Sequence, residues 1–227
     1  MVEPIRELTR PLLTIPDNVL QALEMYSPQS EDQVIYRDAQ FDHSILHISP
    51  DVLPNVGRIH FNIVLWHYFQ RGKNDHDKIT FRYHNEQGLI GEIQFLLMPD
   101  GTYHLNHRHV VENYRQQGVG ERLLKQAEHT LQRLANRRKQ PVEIFLQLGQ
   151  RNVLQWFLKR GYEPSVGHED MVEAVLHHPE QFIFDDITDK PGDDPIKRQD
   201  GIFLPGSTGR KIEDTVRINL EKTLTPQ

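Results

Sequence analysis

The chain has 227 residues, a formal net charge of −6 and no cysteine. That length holds one large domain, or a core domain with additions, and the missing thiols exclude disulfides, a thiolate nucleophile and a cysteine-held metal. With 37% hydrophobic and 26% charged residues the composition is that of a soluble globular protein, and no stretch approaches the ~20 apolar residues of a membrane span.

Residues 1–16 hold three prolines and read as an extended arm. Met1 to Glu7 lack the apolar core of a secretory signal, so a cytoplasmic location is expected. Asp17 can cap a short helix to Tyr26, with Leu20, Leu23 and Tyr26 on one side. Residues 33–48 suggest one or two strands. Ile59–Gln70 carries Phe61, Val64, Leu65 and Tyr68 at helical spacing and is expected to be a buried helix. Residues 1–77 are thus expected to pack on a core formed by 78–227.

That core opens with a meander. Lys78–His84, Leu89–Leu97 and Thr102–Val111 read as strands, the last two joined by a Pro99-Asp100-Gly101 turn. Glu121–Lys139 is an amphipathic helix, with Leu124, Ala127, Leu131 and Leu134 on one stripe and cations at its end. Pro141–Gly149 alternates as a buried strand, and Gln150–Arg160 is a helix stopped by Gly161. Tyr162–Val166 starts another strand. Residues 169–210 read as an insertion with a helix near Met171–His177, and Asp214–Leu224 is the last strand. Residues 169–194 hold nine acids against Lys190 alone, so this window sums to −8 and the remainder is close to +2. Such a segment attracts cations and disfavours nucleic acid, although it is equally a solvated surface.

The most informative stretch is Val110 to Leu124. An apolar strand end runs into Arg115-Gln116-Gln117-Gly118-Val119-Gly120, and a helix follows at once. Two glycines two apart permit a tight turn with exposed N–H groups, and the helix points its positive end at the same place. Alone, such a phosphate cradle is a weak signal.

A second motif about 35 residues on sharpens it. The loop resembles the Gln/Arg-x-x-Gly-x-Gly/Ala segment of GNAT-type N-acetyltransferases. Asn152-Val153-Leu154-Gln155-Trp156-Phe157-Leu158-Lys159-Arg160-Gly161-Tyr162 resembles their Asn-led helix ending in Tyr-x-x-x-Gly-Phe, with Phe157 and Tyr162 as departures. The resemblance covers residues 78–166 and, loosely, the final strand. It implies an α/β (α+β) fold: a mixed, mostly antiparallel twisted sheet flanked by helices, with an N-terminal extension and an insertion before the last strand. It also implies acetyl-CoA as donor, with the amides of Gln116, Gln117, Gly118, Val119 and Gly120 on the pyrophosphate and Arg115 in the same loop. Val110 and Val111 would bond the pantetheine arm through their backbone, Asn152 its amides, and Phe157 would line the cofactor. From the residues alone, Asn152 is also a plain helix cap.

The implied reaction is attack by an amine on a thioester. An alkylamine is mostly protonated at neutral pH, with pKa near ~10, so a base is needed. Phe157 stands where many family members place a tyrosine acid, and it has no proton to give. Tyr114 and Tyr162 are weak substitutes. For the base, some histone-acetylating members of that family use a Glu eleven residues before the first residue of the loop; counting back from Arg115 lands on His104, and histidine as a residue type suits proton transfer near neutral pH. Regular alternation places His104, Asn106 and Arg108 on one strand face and His107 and His109 on the other; a bulge would exchange them. Glu92 and Gln94 are candidate acceptor-side neighbours. A metal site on this His-x-x-His-x-His run is disfavoured by the same parity.

The expected protein is therefore an acetyl-CoA-dependent N-acetyltransferase without a metal, acting on a cationic amine, with no membrane partner. Its oligomeric state is open, a homodimer included. Two rivals stand beside it: a catalytically silent acyl-CoA-binding module, and a toxin acetylating aminoacyl-tRNA, which the acidic balance disfavours.

Overall fold

The computed structural model describes residues 12–25, 41–53, 56–68, 77–148, 151–178, 181–186, 200–203 and 216–227. The expected arm before residue 12, the strand start at 33–40 and the acid-rich run from 187 to 194 lie outside the described residues. The chain forms two compact units, Met1–Ile144 with Thr223–Gln227, and Phe145–Lys222. The fold is mixed α/β, with a mostly antiparallel sheet and flanking helices.

In the first unit, five strands follow one another in chain order and pair antiparallel: β1 (Phe41–Leu53), β2 (Gly57–Tyr68), β3 (Asp77–Asn85), β4 (Gly88–Leu97) and β5 (Tyr103–Val110). Alternation sorts β3 and β4. Ile79, Phe81, Tyr83, Ile93, Phe95 and Leu97 are buried on one face, while Arg82, Glu92 and Gln94 sit half-buried on the other. The 59–70 helix expectation is corrected: its described residues, 59–68, belong to β2, and 69–70 lie outside the described residues. Ile59, Phe61, Ile63, Val64 and Leu65 are all buried, so both faces of the strand are covered. A strand buried on both faces shows no period-2 alternation, and a continuous apolar run mimics helical spacing.

Two helices complete this unit. α1 (Asp17–Met25) buries Val19, Leu20 and Leu23, and α2 (Val119–Arg138) buries Leu123, Leu124, Ala127, Leu131 and Leu134. α2 packs against β3, β4 and β5 on the face that carries Phe81 and Phe95, and α1 packs against α2. Polar side chains of α2 hold the segment leading into α1. Gln126, fully buried, accepts the Leu13 N–H at 2.8 Å and donates to the Leu13 carbonyl at 3.0 Å. Arg133 donates to the Ile15 carbonyl at 2.7 Å, and Arg138 to the carbonyls of Leu23 and Glu24 at 3.2 and 3.1 Å. The cations at the end of α2 thus serve the C-terminal end of α1.

β6 (Val142–Leu148) begins in the first unit and ends in the second. The second unit continues with α3 (Arg151–Leu158), β7 (Glu163–Pro164), α4 (Glu169–His177), the paired strands β8 (Ile183–Asp186) and β9 (Asp200–Phe203), and most of β10 (Ile218–Leu224). β6, β10 and β7 are neighbours in that order, β10 and β7 antiparallel. The β8–β9 hairpin lies inside the expected insertion, where sequence periodicity showed only a helix. Among the described residues, no helix is long and apolar enough to cross a membrane.

Candidate cofactor loop and the polar face of the sheet

The strand-to-helix connection is built from the backbone up. β5 ends at Val110, and a 3-10 turn, Glu112–Tyr114, follows. The Val111 N–H donates to the Ile90 carbonyl at 2.9 Å, and its carbonyl accepts the Tyr114 N–H at 2.8 Å. Val111 is therefore committed within the protein. In an antiparallel ladder, successive residues turn their polar groups to opposite edges. Val110 accordingly turns its groups away from β4, and Arg115 Nε donates to its carbonyl at 3.1 Å.

Two left-handed residues then shape the loop: Gln116 with φ 60° and Gly118 with φ 78°. Gly118 is the residue before α2, no side chain caps the helix there, and its carbonyl accepts the Arg122 N–H at 2.9 Å. Among the described residues, the backbone N–H groups of Gln116, Gln117, Gly118, Val119 and Gly120 have no acceptor. Five successive N–H groups without an acceptor thus stand at the positive end of a 20-residue helix, an arrangement of backbone dipoles that suits an anion. The Gln117 side chain folds back on the Asn113 carbonyl at 2.8 Å, which leaves its amide oxygen buried without a partner.

Tyr114 braces the loop from the other side. Its hydroxyl accepts from Asn85 Nδ2 at 3.1 Å and donates to Gln87 Oε1 at 3.3 Å, and Asn85 in turn accepts the Gln87 N–H at 2.9 Å. The hydroxyl considered as an acid is thus occupied by the β3–β4 turn. Gly91 lies opposite Val110, and a Cβ there would meet the His109 carbonyl oxygen at 2.9 Å. The close approach of β4 to the end of β5 depends on that glycine.

The expected alternation of β5 is corrected by a bulge. Gln94 pairs with His107 and Phe95 with Leu105, so Asn106 is an extra residue. Tyr103 and Leu105 stay on the helix-covered face, opposite Leu97 and Phe95. His104, His107 and His109 all fall on the polar face, opposite Leu96, Gln94 and Glu92. There, Glu92 accepts from Arg82 Nε at 2.8 Å and lies 3.8 Å from His107 Nε2. The rings of His107 and His109 stack at 6.1 Å, and Asn106 donates to Gln94 at 3.2 Å. His104 is six residues before Val110, about 20 Å along the strand, whereas His107 is about 10 Å away. Periodicity could not pair His107 with Glu92, because the bulge leaves no mark on it. Among the described residues, no group of three His, Cys, Asp or Glu is placed to hold a metal ion.

In the second unit, Asn152 lies in the first turn of α3, and its side chain is outside the described residues. Phe157 is buried between Trp156 and Tyr162, its ring edge-on to both at 4.8 and 5.0 Å. It serves the core of that unit.

Residues 43–162 match the family model described as Acetyltransferase (GNAT) family. No curated protein matches the chain. Among solved structures, an IAA acetyltransferase from Bacillus cereus is similar at 18% identity and TM-score 0.37, over 65% of this chain and 78% of that one. A GNAT family acetyltransferase from Elizabethkingia anophelis with acetyl-CoA bound is similar at 14% identity and TM-score 0.35, over 63% and 74%.

Proposed function

The chain belongs to the GNAT acetyltransferase family, and from that premise we propose that it is an acetyl-CoA-dependent N-acetyltransferase, cytoplasmic, in which an amine attacks the thioester directly. The observation that carries this is the run of five unpaired amides from Gln116 to Gly120 between a strand end and a helix. A diphosphate needs many short, fixed donors, and these are already aimed before it arrives. Arg115 adds a positive charge to the loop, and the outward backbone edge of Val110 suits an extended amide-bearing arm. The acyl donor supplies the activated carbonyl; the chain binds, orients and removes a proton. The overall charge of −6 and the acids of 169–194 favour a cationic amine as acceptor.

A second reading has one observation in its favour. Phe157 has no proton to offer a leaving thiolate, which fits an acyl-CoA-binding module without turnover. Calorimetry with acetyl-CoA, paired with thiol release over a panel of amines, separates the two. Heat with release is expected. Heat without release supports the silent module, and no heat with any acyl thioester removes both.

A further inference from the structure

We propose that His107, oriented by Glu92 and Arg82, is the group that takes the proton from the acceptor amine, so that the polar face of β3, β4 and β5 is the acceptor face. The proposal rests on the acyl-transfer reading above. Three features carry it. The bulge at Asn106 turns His107 onto the face away from α2 and opposite Gln94. Glu92 reaches His107 Nε2 at 3.8 Å, while Arg82 fixes the same carboxylate at 2.8 Å. The Glu92 side chain is 16% exposed and that of His107 43%, so the carboxylate is enclosed and the imidazole faces solvent, where an acceptor arrives.

The charged and titratable groups on the strands around His107 include Arg82 and Lys78 from β3, Glu92 from β4, His104 and His109 from β5 itself, and the exposed Glu143 of β6, the next strand. Arg82 and Glu92 offset each other. The carboxylate steadies an imidazolium once it forms. Gln94 and Asn106 add neutral hydrogen-bonding groups beside it, Gln94 accepting from Asn106 and donating to the buried Thr80. A primary ammonium has three donors and suits such a surface.

The step balances as follows. The ammonium gives one proton to an imidazole nitrogen of His107, and the freed nitrogen pair forms a bond to the acetyl carbon. The carbon–sulfur bond breaks, and its electron pair leaves on sulfur. The second proton of the attacking nitrogen passes to the thiolate, giving the amide and a thiol. His107 then returns its proton to water. Glu92 touches no reacting atom and is a positioning residue.

The test uses the full chain with acetyl-CoA and two probes, 1,5-diaminopentane and a short peptide with a free N-terminus. Thiol release is followed from pH 5.5 to 9 for wild type, H107Q, E92Q and H104Q, and acetyl-CoA binding to each is followed by calorimetry. H107Q is expected to bind acetyl-CoA as wild type does, lose about 10²- to 10⁴-fold in kcat, and lose the acidic limb of the profile. E92Q is expected to bind acetyl-CoA as wild type does and to lower kcat by less than H107Q, since the imidazole has lost the carboxylate that orients it. H107Q turning over within threefold of wild type, a loss confined to H104Q, or a wild type that binds acetyl-CoA yet acetylates neither probe overturns the proposal. Absence of acetyl-CoA binding in wild type overturns the acyl-transfer reading itself.

Discussion

At the scale of single residues, three glycines separate backbone need from side-chain space. Gly118 holds φ 78° at the start of α2. Alanine there costs about 1–2 kcal/mol for the left-handed backbone and tilts the amide row, so Gly118→Ala is expected to lower urea stability and weaken acetyl-CoA in calorimetry. Gly120 is different: a Cβ would lie 3.4 Å from Val110 Cγ2, a contact that a small shift relieves. Gly120→Ala is expected to stay within about 0.5 kcal/mol in the same melts. Gly91→Ala drives a methyl to 2.9 Å from the His109 carbonyl oxygen and 3.1 Å from Leu123. About 1–3 kcal/mol of lost stability is expected, with weaker acetyl-CoA binding because the end of β5 must move. The Gly-x-Gly pattern announced the tight loop, but only the geometry tells which glycine is replaceable.

At the scale of elements, α2 joins two jobs. Its first turn presents the free amides, and its middle binds the segment leading to α1 through Gln126 and Arg133. Gln126→Ala leaves the Leu13 N–H and carbonyl without partners, and a loss of about 1–3 kcal/mol is expected by urea denaturation. Acetyl-CoA affinity should be unchanged, because position 126 is nearly two turns from the loop. α2, β3 and β4 were legible because each keeps one buried and one wet face, which writes a period into the sequence. β2 mimics a helix in its apolar spacing because both its faces are buried. β5 was readable as a strand but not as a bulged one, and that one extra residue decides which histidines share a face with Glu92.

At the scale of the whole molecule, ligand and pH both act on stability. A hundredfold excess of acetyl-CoA over its dissociation constant should add about 2.7 kcal/mol, read as a raised melting temperature that Gly118→Ala blunts. Burial, with Arg133 as a smaller cause, holds the His129 imidazole below its ordinary 6.5. The folded chain therefore resists a proton that the unfolded chain accepts. Stability from this group is complete above the ordinary value and is lost as pH falls toward the folded one. His129→Gln is expected to flatten the decline of the melting temperature below neutral pH. The meander, the strand–loop–helix order and the Gly-x-Gly turn are written into the chain, since each is a local pattern of burial or backbone freedom. That Val111 is spent on Ile90, that Tyr114 braces the β3–β4 turn and that His107 lies 3.8 Å from Glu92 emerge only from the folded arrangement. Those facts depend on register between strands, and register is set by pairing over distance, which no single segment encodes.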